Sequence, residues 1–374
     1  MSLFSQSYIK PNISIYINIP KKYFENFSKK KNFKKNIYIE SIIQDFKKCS
    51  FLLFHRTIYS IFISTKIFFL INPYYLFQIL KNLKKFKFKK NIEITLEIFP
   101  QKLYLKKIFE YLKLGINRIS IKLGTLNKKI LKLLNIPTFS QKKIKFLFQK
   151  MYNKKININI DLYYGYPEQT LSDILSELKK ILIFHPQHIT WAPYIPNKKE
   201  KKIISQLNLS ITFDISKMLF LGCKILKRFG YSQYEKFSYS KKKSQCQHNL
   251  NYWNFGDFIG LGCQAHSKIT LKKFNILRII KNKKISLYQS GKYIKKKIYV
   301  KKNEIPFEFF LNKFFLLKKI SYKNFQIMTH HSIKFIKPIL KKAYKLNYLI
   351  LCKKKIILTK YGQKNLNHLL ELFI

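Results

Sequence analysis

Arginine, acidic residues, glycine and cysteine are all scarce in this chain of 374 residues. Asp and Glu together number 17 against 74 Lys and Arg, and only four of those 74 are arginines: Arg56, Arg118, Arg228 and Arg278. A surface selected for phosphate draws on arginine for its bidentate fork. The formal charge of +57 therefore does not by itself designate a nucleic-acid binder. The lysine excess comes with an excess of Ile, Asn, Phe and Tyr, and A/T-rich codons account for all of these together. No specific nucleic-acid partner is expected, while weak association with anionic surfaces is. The five cysteines, odd in number and scattered, exclude a disulfide framework. Long apolar runs are missing too: Ile58–Tyr75 comes nearest to a membrane span and is interrupted by Lys66, Asn72 and Pro73. The first residues, MSLFSQSYIKPN, lack the apolar centre of a secretory signal. A cytoplasmic protein without a transmembrane segment is the expectation.

What is present is material for a core. Hydrophobic residues make up 47% of the chain, which excludes a disordered tail. The length suits one large domain with an appendage, or two to three units. Short β-branched runs alternate with helical spacing through the first half. Ser14–Ile19, Ser60–Ser64, Asn91–Ile98, Arg118–Leu123, Ile156–Tyr163 and His188–Tyr194 read as strands. Between them, Ile37–Phe46, Tyr74–Leu83, Leu103–Leu114, Leu126–Leu134 with Gln141–Tyr152, and Leu171–Phe184 read as helices. Six such alternations predict an α/β fold with a parallel sheet, where functional groups gather at strand ends. After Ile195 the alternation stops. Ile211–Phe229 reads as a helix, Lys268–Lys302 as a basic connector, and the end as helices around a small hairpin, Tyr348–Leu358, similar to a winged helix. The division expected is 1–230, 231–303 and 304–374.

One window departs from the prevailing Lys, Ile, Asn, Phe and Tyr. SQCQHNLNYWNFGDFIGLGCQAHS, residues 244–267, holds two His, two Cys, a Trp and three Gly. Its centre reads HNxxYW, from His248 to Trp253, and its end GxGxxAHS, from Gly260 to Ser267. Read from residue type, His248 and Asn249 tie down a loop and Trp253 packs in a core. Gly260 and Gly262 mark close backbone approach more than phosphate binding, since no Gly-rich loop leads into a clear helix. Cys246 with His248 and Cys263 with His266 could suggest zinc, but their separation is not a finger spacing.

With SIYINIP, ITLEIFP, GINRISIKLGT, IDLYYGYPEQT, GYSQYEKFSYS and PFEFFLNKFFLL, this window stands in an order and spacing that resembles the HemW family. These are heme chaperones related to the oxygen-independent coproporphyrinogen III oxidases of the radical SAM superfamily. The resemblance covers essentially the whole chain. It implies a partial (β/α)6 barrel of radical SAM type with a C-terminal α+β, winged-helix-like region. It also implies heme as cargo and a heme-acceptor protein as partner. Heme iron takes an axial imidazole and porphyrin takes ring faces. His248 is therefore the candidate iron ligand, with Cys246, Tyr252 and Trp253 beside it; Cys263 and His266 are further options.

Two departures bear on the cofactors. The family carries CxxxCxxC after the first strand, whose thiolates hold a [4Fe–4S] cluster. Here KKYFENFSKKKNFKK follows Pro20, and no cysteine precedes Cys49. The family's GGGTP-like turn after the second strand lets backbone approach S-adenosylmethionine, which only residues without Cβ allow. Here Ser64-Thr65-Lys66-Ile67-Phe68-Phe69 stands in its place. The expectation is that cluster and S-adenosylmethionine are absent and that the chain is not an enzyme. Glu97, at the position of the carboxylate that contacts S-adenosylmethionine in relatives, and Asp161 would be remnants of that pocket. The rival readings are a basic nucleic-acid-binding protein and a degenerate relic.

Overall fold

The computed structural model describes residues 11–20, 37–65, 71–100, 104–154, 156–209, 215–271 and 275–374. The segment 21–36, where the family's cluster cysteines would fall, and residues 66–70 lie outside the described residues.

The six expected strands form, as β1 (Ile13–Ile19), β2 (Ile58–Thr65), β3 (Phe88–Ile98), β4 (Arg118–Gly124), β5 (Asn157–Tyr164) and β6 (His188–Pro193). They pair in parallel and in chain order. Parallel neighbours require crossovers, which the intervening helices supply. Alternation along each strand explains the layering. Ile13, Ile15 and Ile17 of β1, Ile61 and Ile63 of β2, Leu96 of β3, Ile119 and Ile121 of β4 and Ile160 of β5 are fully buried in one cluster. Ile42, Ile79, Leu80, Leu178 and Ile181 of the covering helices join it. Each such side chain contributes about 1.5–3 kcal/mol by leaving water. Polar residues take the alternate positions and therefore the inner face of the sheet.

Local chemistry sets the helix ends. Asn72 caps Pro73–Leu83 with Pro at the first turn, where its missing N–H costs nothing. Thr170 and Asp173 form a reciprocal capping box on Leu171–Leu182. Lys198–Gln206, capped by Asn197 and Glu200, is a helix the sequence reading did not anticipate; it buries no residue, so it carries no apolar period.

Residues 231–303 continue the same sheet at both edges. β7 (Ser232–Gln233) and β8 (Ser238–Ser240) add antiparallel beside β6. β9 (Asp257–Leu261) lies parallel to β1 and is followed outward by antiparallel β10 (His266–Thr270), β11 (Ile276–Lys281) and β12 (Ile294–Val300). Lys268–Lys302, expected as a connector, thus carries the end of β10, the whole of β11 and β12, and a short helix, Ile285–Gln289. The edge strand IKKKIYV is largely exposed and lysine-rich, a pattern that blunts an open edge and hides the strand from pattern reading.

The GxGxxAHS glycines serve this junction. A Cβ on Gly262, at φ +94°, would meet the Asn18 carbonyl oxygen, and one on Gly260 the backbone of His266. Asn18 Nδ2 donates to the Cys263 carbonyl at 2.6 Å. Asp257 anchors the start of β9: it accepts from Arg56, Lys268, and the N–H and hydroxyl of Thr270 at 2.6–3.1 Å.

The last part is a second packed unit. Helix Ile305–Lys313, β13 (Ile320–Ser321), helices Tyr322–Thr329 and Ile333–Lys345, and the hairpin β14 (Leu349–Cys352) and β15 (Lys355–Leu358) follow in turn, with sheet order β13-β15-β14. The chain after the hairpin, Lys360–Phe373, reads from sequence as one final helix and is broken into Lys360–Lys364 and Leu366–Glu371. Phe309, Phe310, Phe314 and Phe325 centre its core, which also takes in Phe255 and Ile276 from the sheet side. No helix among the described residues is long and apolar enough to cross a membrane.

Candidate functional site: the inner face of the sheet and the HNxxYW helix

HNxxYW forms the short helix Gln247–Trp253, and it lies against β2 on the polar face of the sheet. Glu93 of β3 holds its start. The carboxylate accepts from the backbone N–H of Gln247 at 3.0 Å and of His248 at 3.1 Å, and from the Cys246 thiol at 3.4 Å. Arg118 of β4 stands 3.8 Å from the same carboxylate, and both side chains are buried.

His248 points from this helix onto the sheet. Its Nδ1 lies 3.1 Å from Ser60 Oγ, which is 2.7 Å from Ser14 Oγ. The rings of Phe62 and Tyr16 sit 5.1 and 6.4 Å from the imidazole, centroid to centroid. Burial and the nearby Arg118 cation push its pKa down to about 3. The half-buried ring is therefore neutral at physiological pH. When Nδ1 donates to Ser60, Nε2 keeps its lone pair, the form an iron atom accepts.

The other residues expected beside His248 face elsewhere. Cys246 is buried, and burial pushes its thiol far above the usual range. Tyr252 packs on Phe258 at 5.0 Å. Trp253 stacks on Phe315 at 4.5 Å and 9° between planes, and so ties the helix to the segment after Ile305–Lys313. Asn249 donates to Glu235 at 3.2 Å. The structure therefore turns Cys246 and His248 towards β3 and β2, Tyr252 towards Phe258 of β9, and Trp253 towards Phe315 of the C-terminal unit. Cys263 is buried in the turn after β9, with its pKa raised to about 11 by burial, and His266 is exposed. Among the described residues no group of three or more His, Cys, Asp or Glu could hold a metal ion.

Glu97 and Asp161 lie further along the strands. Glu97 accepts from Ser64 Oγ at 2.6 Å and pairs with Lys122 at 3.0 Å. Burial alone would lower the Lys122 ammonium, but the Glu97 and Asp161 carboxylates more than offset this, and its pKa is raised. Asp161 accepts from Asn159 at 2.8 Å. Asn159 also meets His188, whose other nitrogen is 2.8 Å from the Tyr234 hydroxyl. Burial and Arg118 hold His188 well below its ordinary pKa.

Sequence reasoning missed Glu93, Arg118, Lys122, His188, Tyr16 and Phe62 as parts of this face. The signal was there in the alternation: Glu93, Thr95 and Glu97 in NIEITLEI, and Arg118, Ser120 and Lys122 in RISIKL, put one polar residue at every second position of otherwise buried strands.

No protein-family model matches the chain. Curated relatives do. The chain is 39% identical to the heme chaperone HemW of Buchnera aphidicola subsp. Acyrthosiphon pisum and 38% identical to that of Buchnera aphidicola subsp. Schizaphis graminum. Each match covers 97% of this chain and 99% of the relative. The HemW heme chaperone of Haemophilus influenzae is 32% identical over 97% of this chain and 98% of its own. Among solved structures, coproporphyrinogen III oxidase (HemN) from Escherichia coli, described as a radical SAM enzyme, superposes with a TM-score of 0.79. That match has 16% identity over 97% of this chain and 90% of that one, and it supports the fold.

Proposed function

The chain belongs to the HemW family of heme chaperones, and from that premise we propose that it binds heme and passes it to an acceptor protein without radical SAM chemistry. The observation that carries the reading is His248. A neutral, half-buried imidazole, fixed through Nδ1 by the Ser60–Ser14 pair, packs against the neighbouring Phe62 and Tyr16 rings on the inner face of the sheet. An axial ligand needs that protonation state, and a porphyrin needs flat apolar neighbours. Tyr16 and Phe62 supply those faces more directly than Trp253, which is already stacked on Phe315.

The case against a [4Fe–4S] cluster rests on the thiols. Cys49, Cys223, Cys246, Cys263 and Cys352 sit at five separate places in the fold. Burial raises the pKa of Cys49, Cys223, Cys246 and Cys263, so each resists becoming the thiolate that iron takes. Glu97 is engaged by Ser64 and Lys122, a local pairing that serves the sheet without S-adenosylmethionine. The chain then acts as a carrier, not an enzyme, in the cytoplasm.

Heme titration of the purified protein followed by absorbance tests this, with His248→Ala alongside and an assay for bound iron and sulfide. A saturable Soret band that weakens in the variant, with no sulfide, is the expected result. A band unaffected by the substitution overturns the ligand assignment, and stoichiometric sulfide overturns the cluster-free reading.

A further inference from the structure

The carboxylates of the inner face are all engaged away from the His248 ring. Glu93 accepts from two backbone N–H groups and the Cys246 thiol, Glu97 from Ser64 with Lys122 beside it, and Asp161 from Asn159. What meets Nδ1 of His248 is a hydroxyl, Ser60 Oγ at 3.1 Å, backed by Ser14 Oγ at 2.7 Å. The two serines stand in register on β1 and β2, and both are buried. Nε2 of His248 bonds to none of the described residues and is not among the unpartnered polar atoms sealed from solvent, so it stays open to a ligand.

The partner of Nδ1 decides what kind of ligand an imidazole is. A carboxylate there draws on the proton and makes the ring more basic. That supports ferric iron, whose porphyrin core carries a positive charge that the ferrous core lacks. A hydroxyl accepts the same hydrogen bond without a charge and leaves the ring a neutral imidazole. Hydrogen bonding to the ligand and burial are the levers by which a protein sets the balance between the two oxidation states. With Nε2 on iron, Nδ1 carries the proton, Ser60 accepts the hydrogen bond, and the Ser60 hydroxyl proton turns to Ser14. The Phe62 and Tyr16 rings, 5.1 and 6.4 Å from the imidazole, present ring faces and no counter-charge. An added positive charge beside them is therefore costly.

We propose that the cargo held at His248 is ferrous heme, and that Ser60 is the positioning residue that sets this preference by giving Nδ1 a neutral partner. The inference rests on His248 as the iron ligand and goes beyond it by naming the oxidation state. Ser14 acts one hydrogen bond further out, as the acceptor that keeps a Ser60 lone pair turned to the ring.

Anaerobic titration of the full chain with ferric heme, and with heme reduced by dithionite, tests it by the Soret band. The unsubstituted chain is expected to bind ferrous heme at least tenfold more tightly than ferric, which for one electron is about 59 mV. Ser60→Ala is expected to weaken both forms several-fold, and Ser60→Thr to restore them. Ser60→Asp, which puts a carboxylate on Nδ1, is expected to move the preference towards ferric heme. Ser14→Ala touches no atom of His248 and is expected to act in the same direction as Ser60→Ala; it keeps the test decisive if Ser60→Asp does not fold. A second readout needs no heme. Nitrogen NMR of the histidines in the heme-free chain, with His248→Ala to assign the signal, is expected to show the proton on Nδ1 and to show it moving to Nε2 in Ser60→Ala. Ferric heme bound as tightly as ferrous, or a tautomer unchanged in Ser60→Ala, overturns this inference and leaves His248 as the ligand. No saturable band with either form removes the heme reading and this inference with it.

Discussion

Removing the Glu93 carboxylate should destabilise this protein more than any single surface change, because four groups depend on it. It accepts from the N–H groups of Gln247 and His248 and from the Cys246 thiol, and it faces Arg118 at 3.8 Å. Each hydrogen bond to a charged acceptor contributes about 1.5–3 kcal/mol. Breaking a buried ion pair by deleting one partner costs about 3–5 kcal/mol, since the other charge is left behind. These terms overlap, so Glu93→Ala should cost about 3–5 kcal/mol in total. Glu93→Gln keeps one acceptor oxygen but no charge and should cost about 1–3 kcal/mol. The diagnostic variant is the double one. Arg118→Met removes the stranded cation, so Glu93→Gln with Arg118→Met should lose less than the sum of the two single changes, by about 1 kcal/mol or more. Urea unfolding of the four variants followed by circular dichroism gives these values, provided the slope with denaturant is unchanged. A cost below about 1 kcal/mol for Glu93→Ala, or strict additivity in the cycle, would refute the view that this carboxylate organises the helix.

Two more expectations follow from neighbouring residues. A double-mutant cycle between Trp253→Ala and Phe315→Ala should show a coupling of about 0.5–1.5 kcal/mol from their stack; zero coupling would mean that the ring contact does not tie the helix to the C-terminal unit. Stability should also fall as the pH drops below about 6.5. His188 and His248 both have folded pKa values below the ordinary histidine value, the latter down to about 3, through burial and the Arg118 charge. The unfolded chain therefore takes up protons that the folded chain refuses, and each site removes up to about 1.4 kcal/mol per pH unit until its own folded pKa is reached. Urea midpoints between pH 7 and pH 4 should decline less steeply in His248→Ala than in the unsubstituted chain; equal slopes would contradict a neutral His248.

The barrel strands were legible because each carries its signal locally. Isoleucines at every second position define one buried face, and Pro, Gly and capping residues mark the ends. The helix Lys198–Gln206 has no fully buried residue and only two adjacent apolar residues, Ile203 and Ile204, packed against a small cluster, so it left no period to read. The strands β9–β12 were hidden for other reasons: β9 joins the sheet by pairing with β1, more than 200 positions away, and Lys at exposed positions masks the β pattern of β12. The HNxxYW residues were found by composition, and Asn249 and Trp253 do tie and pack as residue type suggested. Which of them faces the sheet could not be read from spacing. Glu93 and Arg118, distant in sequence from the window, decide that orientation.

The central claim is that a cluster-free member of this family still carries heme on His248, and heme titration followed by the Soret band measures it most directly. The account predicts one saturable site whose band shifts and weakens in His248→Ala, while the variant's circular dichroism stays that of the parent. The same band, with the same midpoint, in parent and variant would contradict it.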